Sequence, residues 1–298
     1  MPNANYSFMP SAQLMQPNEI LALAKIFVAQ GITKIRLTGG EPLVRKDAAQ
    51  IITLLSTLPV NLTITTNGIR VHEFINTFKE AGISSVNISL DTLQKEKFKQ
   101  LTRRDEFERV KANIELLLQH HFHVKINAVV VKNVNECELI DFVSWTKQVP
   151  IDVRFIEFMP FEGNQWKSDK LVTWKTMLDT IAQNFAFMPI DGTPHDTSKQ
   201  YRVPGFAGTF AVISTMSAPF CEGCNRIRLT ADGKMKNCLF GAEETDLLSP
   251  LRSGQDILQL IQQNIAMKHK ALGGQFSDQF NLIDASTLHN RSMIAIGG

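Results

Sequence analysis

The sequence predicts an α/β chain, an incomplete parallel barrel followed by a smaller extension. Three observations predict it. Helical and extended periodicities alternate through the first half of the chain. The strand-like runs close on Gly-Gly or Asn-Gly, the punctuation of turns between elements. After about Met159 the rhythm breaks, and Gly, Pro, Asp and Ser become frequent.

Asn18 reads as the N-cap of EILALAKIFVAQ, whose apolar residues recur at helical spacing until Gly31 ends the helix. Lys34 to Thr38 reads as a strand, followed by the loop Gly39-Gly40-Glu41-Pro42. A helix over DAAQIITLLSTL stops at Pro59. Asn61 to Thr66 is the next strand, closed by Asn67-Gly68, and VHEFINTFKEAG is the next helix. Ser85 to Leu90, HVKINAVVV and IDVRFIEFM complete five strands, separated by the helices FERVKANIELLLQHH and NECELIDFVSWTKQ. Such spacing implies parallel βαβ units with function at the C-terminal strand ends. Nothing ahead of the first helix reads as a strand, so the repeat is expected to start partway through. Beyond Met159, YRVPGF and GTFAVIST suggest an antiparallel addition carrying the cysteines. The helix DILQLIQQNIAMKHKA then leads to a polar tail ending in Gly297-Gly298. The division expected is 1–160 for the partial barrel and 161–298 for an extension packed on it.

Composition excludes several classes. With 44% hydrophobic and 20% charged residues, the 298-residue chain is an ordinary globular one. A net charge of +2 marks neither a nucleic-acid nor a membrane-surface binder, so any anion site must come from local clustering. No apolar run is long enough to span a bilayer and no signal-peptide pattern opens the chain, so a cytoplasmic protein is expected. Four cysteines, three of them clustered, fit a metal site in a reducing compartment better than a disulfide framework. The fourth, Cys137, lies in an amphipathic helical pattern and is expected to be a small buried hydrophobe.

Cys221, Cys224 and Cys238 sit in FCEGCNRIRLTADGKMKNCLF. Thiolates at this spacing ligate a metal or an iron–sulfur cluster, and three leave one position open. Arg226 and Arg228 alternate beside them and so share a face. Other cations lie on otherwise apolar strands: Lys34 and Arg36 in KIRLT, Lys125 beside Asn127, and Arg154 in RFIEF. One such cation is usually a salt bridge; several strands each bringing one suggest a polyphosphate pocket. Asn87, Ser89 and Asp91 alternate in NISLD and are expected to line the same side. The Gly39–Pro42 loop, and Thr65-Thr66 with Asn67-Gly68, each read equally as ligand-binding loops or as polar turns.

Taken together, RLTGGEPLVRKD, TTNG, NISLDTL, RFIEFMP, the C-x2-C-x13-C pattern with NRIRLTADGK, and the terminal IGG resemble the GTP 3′,8-cyclase family. These radical S-adenosylmethionine (SAM) enzymes open molybdenum cofactor biosynthesis. The resemblance implies a (β/α)6-type TIM barrel of the radical SAM kind, here lacking its first strand. It implies that Gly40, Ser89 and Met159 hold SAM, and that Lys34, Arg36, Thr65, Lys125, Arg154, Arg226 and Arg228 hold GTP. It implies that Cys221, Cys224 and Cys238 carry a [4Fe-4S] cluster whose unligated iron binds guanine, with Arg226, Arg228, Gly297 and Gly298 serving catalysis. The product would be (8S)-3′,8-cyclo-7,8-dihydroguanosine 5′-triphosphate. Implied partners are an electron donor, a second copy in a homodimer, and the cyclic pyranopterin monophosphate synthase that takes the product; nucleic acid and membrane are not among them.

The sequence departs from the family at its start. Family members open with a strand and a C-x3-C-x2-C motif that holds a second [4Fe-4S] cluster, whereas this chain begins Met1-Pro2, matching the dipeptide after that motif. The chain as written is therefore expected not to cleave SAM, to expose a sheet edge, and to reflect a start placed at an internal methionine. The alternative expectation is a catalytically inactive GTP-binding remnant, or a three-cysteine metal-binding protein whose site holds zinc or a cluster.

Overall fold

In the computed structural model, the structure describes residues 9–276, 280–283, 285 and 288–296. The elements of the first half are α1 (Pro17–Ala29), β1 (Lys34–Leu37), α2 (Ala48–Ser56), β2 (Asn61–Thr66), α3 (Val71–Glu80) and β3 (Ser85–Ser89). They continue through α4 (Lys95–Thr102), α5 (Phe107–Gln119), β4 (His123–Val130), α6 (Leu139–Trp145) and β5 (Asp152–Glu157). Next come α7 (Trp174–Ala182), β6 (Met188–Ile190), β7 (Lys199–Arg202) and β8 (Thr209–Ile213). The last are β9 (Arg228–Leu229), β10 (Lys234–Lys236), β11 (Thr245–Asp246), α8 (Leu248–Arg252), α9 (Leu258–Ala266) and α10 (Met293–Ile296).

Eight strands form one sheet in the order β1-β2-β3-β4-β5-β8-β7-β6. Strands β1 to β5 and β8 run parallel, and β7 and β6 add antiparallel. This is the incomplete barrel expected. The segment GTFAVIST departs from expectation: it forms β8, which pairs in parallel with β5. The sheet thus draws its last three strands from beyond residue 160, across the division anticipated there. A separate three-stranded sheet, β11-β10-β9, carries the segment around the cysteines.

Period-two alternation gives the large sheet two unlike faces. Leu62, Ile64, Val86, Ile88, Val124, Ile126, Val153, Phe155, Phe210 and Val212 point to one side and pack under the helices with Leu55, Phe78, Leu117 and Phe142. Each fully buried side chain of this kind contributes about 1.5–3 kcal/mol. A second cluster joins Leu23 and Phe27 of α1 to Met235, Leu247, Leu248, Ile257 and Ile261, locking the barrel half to the small sheet and α9. A third gathers Phe161, Trp166, Met216, Phe240, Leu272 and Ile296.

Local chemistry accounts for the differences from the sequence expectation. Helix α1 starts earlier than Asn18 because Pro17 presets the first helical φ and the Gln16 N–H donates to the Glu19 carboxylate at 2.7 Å. The NECELIDFVSWTKQ stretch splits into a 3-10 turn, Glu136–Glu138, and α6. That turn aims Glu138 inward, where its carboxylate accepts from Thr92 Oγ1 (2.7 Å), Leu93 N (2.7 Å) and Lys97 Nζ (2.7 Å). Cys137 consequently faces out and is exposed, correcting its placement in the core. Among the described residues, no helix is long and apolar enough to cross a membrane.

Candidate active site: a cationic sheet face beside three cysteines

The face opposite the helices is polar. Thr65 stands opposite Asn87, Asn87 opposite Lys125, Lys125 opposite Asp152, and Asp152 opposite Thr209, making one continuous row across five strands. Two residues further along, Ser89, Asn127 and Arg154 form the next row. Arg36 sits opposite Thr63 on the neighbouring strand. The structure thus brings Lys34, Arg36, Thr65, Lys125 and Arg154 to one surface, as their alternation suggested.

Part of that surface is internally satisfied. Asn87 Nδ2 donates to Thr65 Oγ1 at 3.2 Å. Asp152 accepts from Thr209 Oγ1 at 2.6 Å and contacts His123 Nε2 at 2.7 Å. Asp91 does not line the face freely: its carboxylate accepts from the Val129 N–H at 2.9 Å, and burial raises its pKa. Two buried atoms on the face, Asn127 Oδ1 and Arg154 Nε, have no protein partner. Each unsatisfied group costs roughly 1–3 kcal/mol, a cost that a polar ligand or water would remove.

Electrostatics joins the two halves of the molecule. Burial lowers the Arg36 pKa first, and then the positive charges of Arg154 and Arg226 lower it further. Lys34 is lowered by burial, Arg36 and Arg154, with Asp196 opposing. Arg154 is lowered by burial, against Asp152 and Asp196. Lys125 is pushed down to about 8, by burial first and then Arg154, with Lys34 and Arg36 adding and Asp152 opposing. Arg228 comes down to about 10 through burial, Arg226 and Arg36, while Cys238 and Cys224 oppose. Cations far apart in sequence therefore share one field.

The cysteines lie at the edge of this field. All three are half-buried, and Cys221 and Cys238 pack against the third apolar cluster. The Arg226 guanidinium stacks over Phe220 at 5.1 Å and its Nη2 lies 3.7 Å from Cys224 Sγ. Lys268 Nζ is 3.5 Å from the same sulfur, and the Leu272 N–H donates to Cys221 Sγ at 3.4 Å. Such donors are what thiolate ligands receive from their surroundings. Glycine is obligatory between them: a Cβ on Gly223 would lie 1.9 Å from the Pro194 carbonyl oxygen.

Gly40, Ser89 and Met159 stand at or just beyond the C-terminal ends of β1, β3 and β5, the end where parallel barrels place ligands. Gly40 and Ser89 are exposed, and the Met159 carbonyl accepts from Asn164 Nδ2 at 2.7 Å. Glu41 anchors the glycine loop, accepting from Thr66 Oγ1 (2.6 Å), Asn67 N (2.6 Å) and Leu43 N (3.1 Å). Gly68 closes the adjacent turn at φ +82°, with Ile88 Cγ2 only 3.1 Å from any added Cβ. Gly297 and Gly298 lie outside the described residues. The residue before them, Ile296, is buried, and its carbonyl accepts a long 3.5 Å hydrogen bond from Arg228 Nη1.

Sequence reasoning missed Glu157, which is fully buried at the end of β5. Its carboxylate accepts from Trp174 N (2.7 Å), Met216 N (2.7 Å), Ser217 N (2.9 Å) and the Ser217 hydroxyl. It ties the sheet to the loop that leads into Cys221. It also missed Arg291, whose guanidinium makes a bidentate pair with Asp232 (3.0 and 2.9 Å) and reaches Glu244.

Known proteins resemble this chain over its whole length. The radical SAM superfamily model matches residues 4–146, and the model for Molybdenum Cofactor Synthesis C matches residues 151–273. The chain is 42% identical over 305 residues to "GTP 3′,8-cyclase, mitochondrial" of Arabidopsis thaliana, covering 100% of this chain and 76% of that protein. It is 36% identical over 306 residues to the GTP 3′,8-cyclase of Lactiplantibacillus plantarum, covering 100% and 91%. Identity to molybdenum cofactor biosynthesis protein 1 of Drosophila melanogaster is 43% over 277 residues, 91% of this chain but 49% of that protein. The chain thus spans about half the length of its animal relatives. The fold matches Streptococcus suis SuiB, solved bound to S-adenosylmethionine, with a TM-score of 0.58 at 13% identity over 86% of this chain and 60% of that one. The chain belongs to the GTP 3′,8-cyclase family of radical SAM proteins.

Proposed function

We propose that this chain binds GTP across the polar sheet face and serves GTP 3′,8-cyclisation in molybdenum cofactor biosynthesis. The observation that carries this is the placement of Arg36, Lys125 and Arg154 on one sheet face, with Arg226 and Arg228 of the cysteine segment close enough for their charges to be felt there. Lys34, Arg36, Lys125 and Arg154 would hold the triphosphate, aided by the Thr65 hydroxyl. Arg226 and Arg228 would meet it from the cysteine side. Arginine forks suit phosphate oxygens in pairs, whereas the lysines act as point charges. Gly40, Ser89 and the backbone at Met159 would hold SAM at the C-terminal strand ends, and the terminal glycines would follow Ile296 toward Arg228. A cytoplasmic setting would keep the thiols reduced.

The residues present fit one iron–sulfur group. Cys221, Cys224 and Cys238 would hold it, since three half-buried thiols receive N–H donors and leave one ligand position to supply. When bound, the cluster supplies a Lewis-acidic iron for the guanine base. The chain's residues would then fix the base through the cysteine loop, where Gly223 packs on the Pro194–His195 segment and its carbonyl lies 2.9 Å from His195 Nδ1. A second cluster does not fit: the fourth cysteine, Cys137, stands alone and exposed.

Anaerobic reconstitution with iron and sulfide tests the proposal. About four irons per chain are expected, with GTP affinity that Arg226→Ala weakens strongly while leaving iron content intact. Loaded protein with no affinity for GTP would refute it. The homodimer, the electron donor and the synthase that takes the product remain part of the proposal and follow from the family alone.

A further inference from the structure

The segment after α9 folds back over the cysteine hairpin. Lys268 spends its three N–H donors there: on the Cys224 carbonyl at 2.9 Å, the Arg226 carbonyl at 3.1 Å and Cys224 Sγ at 3.5 Å. Four residues on, the Leu272 N–H reaches Cys221 Sγ at 3.4 Å, while its side chain is 3% exposed in the third apolar cluster. Gly273, at φ +65°, lies so close to Phe240 that an added Cβ would stand 2.5 Å from the Phe240 carbonyl carbon. Phe240 is two residues past Cys238, whose carbonyl accepts from the Gly241 N–H at 3.2 Å. Residues Lys268 to Gly273 therefore touch the surroundings of all three cysteines, two of them through N–H groups aimed at sulfur.

Donors to ligand sulfur and nearby positive charge both favour the more reduced, more negative state of an iron–sulfur centre. We propose that Lys268–Gly273 is a cationic strap that sets the reduction potential of the centre held by Cys221, Cys224 and Cys238, with Lys268 as its positioning residue. The strap rests on the assignment of an iron–sulfur group to these thiols. Its lysine meets Arg226 only at the backbone carbonyl, 3.1 Å away, so the effect on potential is read without nucleotide. A backbone donor at Leu272 and a side-chain donor at Lys268 divide the task. The first holds Cys221 by packing, and the second adds charge at Cys224.

The test is the midpoint potential, followed by electron paramagnetic resonance during an anaerobic redox titration of reconstituted full chain, without substrate. Lys268→Met and Lys268→Gln are expected to load iron as the wild type does and to shift the midpoint to more negative potential. Lys268→Arg, which keeps the charge, is expected to restore most of the shift. Fully loaded Met and Gln variants with an unchanged midpoint would overturn the proposal. So would loss of iron in both, which would make the lysine a scaffold for assembly rather than a tuning group. A wild-type chain that binds no iron would instead sink the three-thiol assignment beneath it, an outcome distinguishable by metal analysis alone.

Discussion

Lys125 reports on the phosphate site with no cofactor bound. Burial and the neighbouring Arg154, Lys34 and Arg36 bring its ammonium down to about 8, so it titrates close to neutrality. A polyphosphate among these cations favours the charged form, and apparent affinity then scales with the fraction of protein that is charged. From a pKa of about 8, that fraction is about nine-tenths at pH 7 and about one-tenth at pH 9. GTP affinity should therefore fall about tenfold between those values, or ~1.4 kcal/mol, and the loss should centre near pH 8. Isothermal titration of GTP at pH 7, 8 and 9 and constant ionic strength reads this directly. Lys125→Arg keeps its charge throughout and should flatten the profile. A wild-type dissociation constant that stays level across the range would refute the reasoning. An equal slope in Lys125→Arg would also refute it, because the titrating group would then lie elsewhere.

Two further outcomes are expected. Arg291→Ala removes the pair with Asp232 and Glu244 that pins the segment before α10, and should cost about 2 kcal/mol and speed proteolysis of the C-terminal tail; a tail cleaved no faster would mean that apolar contacts at Ile296 hold it. Glu157→Gln places an amide among four donors that need an acceptor, and should lower stability by about 3 kcal/mol in urea unfolding; a loss below 1 kcal/mol would show that the loop is held by packing.

The strands were legible because their chemistry is local. Asn61–Thr66 and His123–Val130 alternate so plainly that their bounds agree with expectation almost to the residue. The cations were legible for the same reason: a charge at every second position of an apolar run has few other uses. What was not legible depends on partners remote in sequence. GTFAVIST has no local feature to announce a parallel neighbour; its place is fixed by register with β5. Helix α4 buries only Phe98, too little apolar periodicity to stand out. Cys137 matches the helical pattern, but the turn that carries it is set by Glu138 reaching Thr92, 46 residues away. Glu157 resembles any acid at a strand end until Ser217, 60 residues on, closes over it. Lys268 offered no sequence signal, since a lysine in the last turn of an expected helix is ordinarily solvated; the helix in fact ends at Ala266.

One edge of the large sheet carries a consequence for handling the protein. Among the described residues β1 pairs only with β2, and two of its four residues are the cations Lys34 and Arg36. Positive side chains on a border strand discourage a stranger's strand from docking there. A polyanion that neutralises them removes that deterrent. Nucleotide-loaded material should therefore clump more readily than empty protein, and light scattering during purification would reveal the difference.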